Sequence, residues 1–248
     1  MEIIADTNIW YNIGSGQIDP AVICEGKKLI ATFNSIDEFS RTTNLIERPD
    51  DTRNAIQSMF KLSNKHAIFE PPLFYLRKLA DINYAYDIAL NHGSILTFTE
   101  KIAKGHGIEL SKGEEYRTFC ESRKGNLQSV ADIFNTEAKR LNANIKDLKK
   151  HRKEDSIPLN RHLISLFVEK QTGEGLPENF DWTQIELFEN TLKVFLNALE
   201  TRAMVMKPND WYDLFIMVYV SPERKYWTRD RKWLVLIRNA GMEKYLFE

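Results

Sequence analysis

Four acidic residues lie at junctions between predicted secondary-structure elements. They are Asp6 after the apolar stretch 2–5, Glu38 after 27–33, Asp213 after the break KPND at 207–210, and Asp230 after 225–228. A carboxylate at the tip of a buried strand costs free energy unless another group compensates its charge. Four carboxylates in one cleft also repel one another and raise their own pKa values. A cluster of this kind indicates a bound cation.

The ligand chemistry of this cluster favours a hard divalent cation. Cys24 and Cys120 lie far apart in the sequence, and the five histidines lack the paired spacing that is typical of zinc sites. Carboxylate oxygens without a nearby imidazole or thiolate select Mg²⁺ or Mn²⁺. We therefore expect Mg²⁺ or Mn²⁺ as the cofactor of any enzyme built on these residues.

Three of the four acids also have a purely structural explanation when they are taken singly. The four residues SIDE at 35–38 fit a capping box, in which Glu38 only satisfies backbone amides. Asp213 would suit a helix N-terminus, and Asp230 would suit the N-cap of a final helix. Asp6 has no comparable capping explanation. The recurrence of acids at the same topological position is what favours a shared site.

The elements that must position these acids alternate along the chain. Strands are predicted at 2–5, 27–33 and 225–228, weaker strand signals at 66–70 and 245–247, and helices at 36–46, 51–63, 73–91, 182–204, 211–220 and 232–239. This alternation predicts an α/β fold with a mostly parallel central sheet covered by helices. Ligands bind at the carboxyl ends of the strands in such sheets, so we expect the four acids to meet there.

Residues 96–181 have a different texture. Glycines break up polar and charged helical stretches at 111–122, 126–153 and 159–172. We interpret this region as a helical insertion within a single domain that spans residues 1–248. Because long insertions at the edge of a site usually carry function, we expect this one to select the substrate or to dock a partner.

The composition is that of an ordinary soluble protein and excludes several classes. The chain has 248 residues with a formal net charge of −1, so no global charge attracts it to nucleic acid or to membranes. The segment 139–153 carries seven Lys or Arg and one Asp, which we interpret as a solvated helix face. The apolar run 211–220 is too short to span a bilayer. With no leader-like start and few cysteines, we expect a cytoplasmic protein.

The ordered set of acidic motifs resembles the PIN domain. The matching motifs are Asp6-Thr7-Asn8 after the first strand, the acid at 35–38, Asp213 within NDWYDLF, and Thr228-Arg229-Asp230 near the C-terminus. The resemblance covers about residues 1–95 and 182–248. It implies a PIN-like α/β fold and a nuclease that depends on Mg²⁺ or Mn²⁺ and acts mostly on RNA. Many PIN domains are toxins, so the resemblance also implies that an antitoxin-like protein partner is worth seeking.

The resemblance assigns roles to particular residues. Asp6, Glu38, Asp213 and Asp230 would hold one or two cations and carry catalysis, with Asp6 as the central ligand. Asn8 and Thr228 would hydrogen-bond to the carboxylates or to water without contacting the cation, and so orient them, or would make ordinary turn hydrogen bonds. The basic residues around the fourth acid would bind RNA phosphates or balance charge; they are Arg229, Arg231 and Lys232. Asp37 and Asp210 stay open as further members of the site.

Two departures from the family and three rival readings remain. The chain is larger than the compact toxins, and the insertion at 96–181 has no counterpart in the family pattern. A catalytically inactive PIN-like protein that docks RNA or a protein partner is the alternative function. A phosphohydrolase with Asp6 as nucleophile needs the pattern D-x-D, and position 8 is Asn. A dinucleotide-binding fold lacks the necessary glycine-rich loop after the first strand.

Overall fold

The computed structural model describes residues 1–23, 25–63, 67–108, 112–145 and 157–247. The elements of the first half are β1 (Glu2–Ala5), α1 (Thr7–Gly14), α2 (Pro20–Ile23), β2 (Lys28–Ile30), α3 (Phe33–Ser40), α4 (Asn44–Glu47), α5 (Pro49–Ser63), α6 (Pro72–Ala80) and α7 (Ile88–Ala103). Those of the second half are α8 (Gly113–Ile145), α9 (Ile157–Thr172), α10 (Glu186–Glu200), α11 (Asp210–Phe215), β3 (Arg224–Trp227) and α12 (Arg231–Asn239). Short 3₁₀ helices cover Trp182–Ile185, Ile216–Tyr219 and Glu243–Tyr245.

The described strands form a three-stranded sheet with the order β2-β1-β3. Both pairings are parallel: Glu2 stands opposite Lys28 in one pair and opposite Arg224 in the other. Parallel neighbours require crossover connections, which the intervening helices supply. The α/β fold class with a parallel, helix-covered sheet is therefore confirmed, and the carboxyl ends of all three strands lie at one edge.

Alternating side chains of the sheet enter two separate apolar cores. Ile3 and Ala5 of the central strand pack into one core, and Ile4 between them packs into the other. The period of two along a strand sends successive side chains to opposite faces. Both faces are covered by helices, so all three residues are buried, as expected for a short parallel strand.

Several predicted boundaries are wrong for local reasons. The predicted helix 36–46 is two helices, because α3 already begins at Phe33 and ends at Ser40. The predicted helix 73–91 is also two, since Asp81 accepts a turn hydrogen bond from the Asn83 N–H and Asp87 caps α7. Gly93 lies inside α7, which ends before Gly105 at a φ of +92°.

The weaker strand signals correspond to single bridges. Ile68 pairs with Thr32 and Leu246 pairs with Tyr226, both in parallel orientation, outside any named strand. Residue 66, the first of the earlier signal, lies outside the described residues. The predicted second strand at 27–33 is shorter than expected because α3 starts at Phe33.

The insertion is built into the fold instead of standing apart from it. Residue 96 falls within α7, and α7 packs against α3 and α5. Ala131 of α8 and Ile164 of α9 are buried in the same core as Ile4. The predicted stretches 111–122 and 126–153 belong to one helix, α8, as far as Ile145. The remainder of the basic segment, 146–153, lies outside the described residues, and the domain limits stay a prediction.

The long helix α8 is polar along its length. It has 33 residues, which would suffice to cross a bilayer, but acidic and basic residues recur throughout its sequence. Nowhere in the described ranges does a helix combine the length and the apolar character that crossing a membrane requires.

Candidate functional site: carboxylates at the sheet edge

Asp6 and Thr228 leave adjacent strands side by side. The backbone N–H of Asp6 donates to the carbonyl oxygen of Trp227, with N and O 3.0 Å apart. The Thr228 hydroxyl Oγ1 donates to Asp6 Oδ2 at 2.7 Å. Because β1 and β3 are parallel and in register, both residues fall at the carboxyl edge of the sheet. Thr228 thus fixes the orientation of the Asp6 carboxylate.

Asp6 is a buried acid whose charge is only partly compensated. It is 4% exposed and occupies the N-cap position of α1, yet it makes no capping hydrogen bond. Desolvation raises its pKa most strongly, and the Thr228 hydroxyl lowers it. The backbone N–H groups of Asn8 and Thr7 lower the pKa further, whereas the charge of Asp230 raises it. The balance is a pKa above the ordinary value, which favours a proton or a cation at this position.

Glu38 faces the same edge from α3. Since α3 begins at Phe33, Glu38 lies in its second turn, and the capping-box explanation is wrong. The residue is partly exposed, while its carboxyl group lies among neighbouring atoms, so that desolvation is the largest cause that raises its pKa. The Thr7 side chain lowers that pKa, and repulsion from Asp6 raises it. Glu38 therefore belongs electrostatically with Asp6.

The neighbouring Asp37 points into a different environment. It is 3% exposed, and its Oδ2 accepts a hydrogen bond from Arg41 Nε at 2.9 Å. Its Oδ1 accepts from a terminal guanidinium nitrogen of Arg123, on α8, at 3.3 Å. Asp37 is thus a paired carboxylate, and Glu38 is the one of the two that repels Asp6.

Asp213 has a strongly raised pKa. Desolvation, followed by repulsion from Asp6, raises its pKa to about 8. The Trp233 indole lies near enough to lower that pKa, although its N–H makes no hydrogen bond of normal geometry. Glu38 raises the pKa and Lys232 lowers it. Asp213 therefore interacts with both Asp6 and Glu38 from the first turn of α11.

Asp230 caps a helix, whereas Asp210 is held by a turn hydrogen bond and an ion pair. Asp230 is the N-cap of α12 and accepts hydrogen bonds from the backbone N–H groups of Lys232 at 2.8 Å and Trp233 at 3.4 Å. Its charge also reaches Asp6. Asp210 accepts from the backbone N–H of Lys207 at 2.9 Å and forms an ion pair with the Lys232 ammonium group. The N-cap explanation for Asp230 is thus confirmed, and it coexists with a place beside Asp6.

The predicted RNA-binding residues lie in different surroundings. Arg229 and Arg231 are exposed on either side of Asp230 in the sequence. Lys232 is partly exposed but is held by Asp210.

Asn8 is exposed, and only its backbone N–H acts on Asp6. Asn8 and Thr228 were both predicted to orient the acids, and of the two only the Thr228 side chain is seen to contact Asp6 among the described residues.

Two buried polar groups beside the acids were missed by the sequence prediction. The Tyr226 hydroxyl and the Trp233 indole N–H have no hydrogen-bond partner among the described residues. Burial raises the pKa of Tyr226 most strongly, and the charges of Asp6 and Asp213 raise it further. The period of two along β3 places Tyr226 on the same face as Thr228, and this was the available signal. Unpartnered buried donors indicate a site that binds water or a ligand.

The acids fit a divalent cation in chemistry but not in their present spacing. Within the ranges that the structure describes, no group of three or more His, Cys, Asp or Glu side chains is arranged so that it could hold a metal ion. The donors are nevertheless all carboxylates, and Asp6, Glu38 and Asp213 have raised pKa values. Mg²⁺ and Mn²⁺ prefer such oxygen ligands. Side-chain rotation would have to close the site around an ion.

Comparisons with known proteins do not assign a family. No family model matches the chain, and neither a curated protein nor a solved structure matches it. The resemblance to the PIN domain therefore rests on the residues Asp6, Glu38, Asp213 and Asp230 and on their order along the chain.

Proposed function

We propose that this protein is a divalent-metal-dependent nuclease, an endoribonuclease that hydrolyses RNA phosphodiester bonds. The observation that supports this proposal is the mutual repulsion of buried carboxylates at the carboxyl edge of a parallel sheet. Asp6 interacts with Glu38, Asp213 and Asp230, and these acids come from separate segments of the chain. Such an arrangement destabilises the fold unless a ligand compensates the repulsion between the carboxylates. A bound cation would do so directly.

In this proposal Asp6, Glu38, Asp213 and Asp230 hold Mg²⁺ or Mn²⁺. The bound cation would activate water and stabilise the negative charge that develops on the phosphate during hydrolysis. Thr228 would keep the Asp6 carboxylate in one orientation through its 2.7 Å hydrogen bond. Removing one central acid is expected to lower the cleavage rate by a hundredfold or more, about 3 kcal/mol, as for other lost electrostatic groups.

The RNA would approach along the exposed basic residues of the 229–232 segment. Arg229 and Arg231 are exposed and would contact phosphates, so that affinity falls as the salt concentration rises. Lys232, which we predicted as a third phosphate contact, is paired with Asp210 and is better placed to balance the charge of Asp213. A cytoplasmic location and an antitoxin-like partner stay predictions.

One observation favours the second candidate, a catalytically inactive PIN-like protein that docks RNA or a protein partner. The described carboxylates are not spaced to hold a metal ion as they stand. Lys232 also lowers the pKa of Asp213 and so acts in part as an internal cation. In this alternative Asp213, whose pKa is about 8, would keep its proton at neutral pH, and no cation would bind.

Cleavage of a mixed pool of single-stranded RNA tests the proposal. The purified protein is incubated with Mn²⁺, with Mg²⁺ or with EDTA, alongside Asp6→Asn. Cleavage that requires the cation and disappears in the variant is expected. A folded wild-type protein that neither cleaves the pool nor binds Mn²⁺ would contradict the proposal and favour the inactive protein.

A further inference from the structure

A second charged cluster adjoins the acids on the side of the insertion. It comprises Asp37, Arg41, Tyr212 and Arg123. The Arg41 guanidinium lies 3.5 Å from the centre of the Tyr212 ring, and its Nε donates to Asp37. Asp37 precedes Glu38 in α3, and Tyr212 precedes Asp213 in α11. The two clusters therefore share their helices, and Asn34 of α3 ties these helices together by donating to the Tyr212 carbonyl at 3.0 Å.

Arg123 is the member of this cluster that the insertion supplies. It lies on α8, seven residues after Tyr116, whose hydroxyl donates to the carbonyl oxygens of Ser40 at 2.9 Å and Thr42 at 3.3 Å. Residues seven apart lie on the same face of a helix. Cys120, between them on that face, is buried. The anchoring of Tyr116 at the end of α3 thus places Arg123 beside Asp37, the residue that precedes Glu38.

The contact between Arg123 and Asp37 is the weaker of the two ion pairs that Asp37 makes. Its N···O distance is 3.3 Å, against 2.9 Å for Arg41, and charge-assisted hydrogen bonds are usually about 2.7–2.9 Å long. The Arg123 side chain is 42% exposed, whereas that of Arg41 is 8% exposed. If Arg123 turned to another anion, Asp37 would keep Arg41. The large penalty for a buried, unpaired carboxylate would not arise.

We propose that Arg123 binds a backbone phosphate of the RNA next to the scissile bond, and that Asp37 holds this guanidinium in position until the RNA displaces it. This inference rests on the proposed function, since it assigns the substrate contact of the same site to the insertion. Arginine suits this role because its planar fork matches the geometry of a phosphate. The phosphate replaces Asp37 as the partner of Arg123, while Arg41 and Tyr212 stay in place.

Binding of a fluorescent single-stranded RNA oligonucleotide in EDTA tests the inference without cleavage. Anisotropy is recorded for the wild-type protein, Arg123→Ala and Lys124→Ala at several salt concentrations. We expect Arg123→Ala to weaken binding by about fivefold or more and to reduce the slope of log K against log salt by about 1. Lys124 is the matched control, because it is exposed on the same helix, and its variant should bind within twofold of wild type.

Asp37→Asn separates RNA binding from a purely structural role. If Arg123 binds phosphate, removing the competing carboxylate should tighten RNA binding relative to wild type. If Arg123 only attaches α8 to α3, both Asp37→Asn and Arg123→Ala lower the melting temperature and leave the salt slope unchanged. That result, or a wild-type protein that does not bind the oligonucleotide, overturns the inference.

Cleavage in Mn²⁺ by the same preparations distinguishes the two proposals. Cleavage by wild type with equal RNA affinity for wild type and Arg123→Ala contradicts the inference alone. Binding that depends on Arg123 without any cleavage supports the inference and counts against the nuclease.

Discussion

At the scale of single residues, the acids of the sheet edge couple the stability of the protein to protons and cations. Burial and mutual repulsion raise the pKa values of Asp6, Glu38 and Asp213. A carboxyl group whose pKa is higher in the folded than in the unfolded protein holds a proton that the unfolded chain has lost. The free energy of unfolding then falls as the pH rises between the two pKa values.

Asp213→Asn should therefore stabilise the protein at high pH in the absence of divalent cations. The pKa of Asp213 is about 8 when folded and about 3.9 when unfolded, so its destabilising effect grows between these values. We expect the variant to be more stable than wild type by at least about 1 kcal/mol at pH 8.5 in EDTA, since one pKa unit corresponds to about 1.4 kcal/mol. Urea unfolding at several pH values measures the difference.

The same series supplies its own control. Near pH 4 the carboxyl group is protonated in the folded protein, so the difference between wild type and Asp213→Asn should largely vanish. A difference in unfolding free energy that stays constant across the pH range would show that the charge of Asp213 does not destabilise the protein.

Thr228→Val should weaken cation binding through Asp6. The variant keeps the shape of the side chain but removes the hydroxyl that donates to Asp6 Oδ2. Because this hydrogen bond lowers the pKa of Asp6, its loss raises that pKa and makes proton release more costly. We expect the affinity for Mn²⁺ at pH 7 to fall by about tenfold or more, as when other hydrogen-bond partners of metal ligands are lost.

Electron paramagnetic resonance of free Mn²⁺ measures this change, and Thr228→Ser is the matched variant. Serine retains the hydroxyl, so its affinity should stay near that of wild type. Equal losses in the valine and serine variants would mean that the threonine methyl group, and not the hydrogen bond, matters.

The sequence allowed the acids to be predicted but not their surroundings. Asp6 directly follows β1 and Asp230 is the third residue after β3, so their common edge follows from the parallel sheet. The choice between Glu38 and Asp37 depends on the helical phase of α3, which starts three residues earlier than predicted. The pairing of Lys232 with Asp210 depends on the packing of α11 beside α12, and sequence spacing carries no such information.

At the scale of elements, helix ends were harder to predict than strands. The apolar stretches of β1 and β3 and the parallel sheet were correctly predicted. Gly93 and Gly125 lie inside α7 and α8, although glycine costs a helix interior about 1 kcal/mol relative to alanine. The helix α7 packs against α3 and α5, and α8 packs against α10. These tertiary contacts outweigh the low helix propensity of the two glycines.

Arg161→Ala should loosen the attachment of α9 to α10. Arg161 Nε donates to Glu189 Oε1 at 2.6 Å, and Glu189 is 4% exposed. Without Arg161 the buried carboxylate loses its partner, which costs about 3–5 kcal/mol for a fully buried pair. Since the Arg161 side chain is 41% exposed, solvent reduces this cost, and we expect a loss of about 1–3 kcal/mol.

Denaturant unfolding of Arg161→Ala beside His162→Ala measures this loss. His162 is exposed on the same helix and should be nearly neutral. Equal destabilisation of both variants would mean that the loss in Arg161→Ala does not arise from the ion pair with Glu189.

At the scale of the whole molecule, the insertion and the sheet share one structure. Ala131 and Ile164 of the insertion are buried together with Ile4 and Tyr226 of the sheet. The insertion therefore cannot be treated as a separable accessory, and point variants are better probes of its role than deletion. The basic character expected of 139–153 does not by itself define an RNA path. The proposed RNA contact lies instead at Arg123, where the insertion meets Asp37 of α3.

Calorimetric titration of the metal-free protein with Mn²⁺ at pH 7 decides whether the acids of the sheet edge bind a divalent cation. Buffers of different ionisation heat reveal the protons released on binding. Because Asp213 has a pKa of about 8, we predict that Mn²⁺ binds with release of about one proton or more. Asp6→Asn should abolish detectable binding. A folded wild-type protein that binds no Mn²⁺, or one whose binding is unchanged by Asp6→Asn, would contradict a carboxylate metal site at this sheet edge.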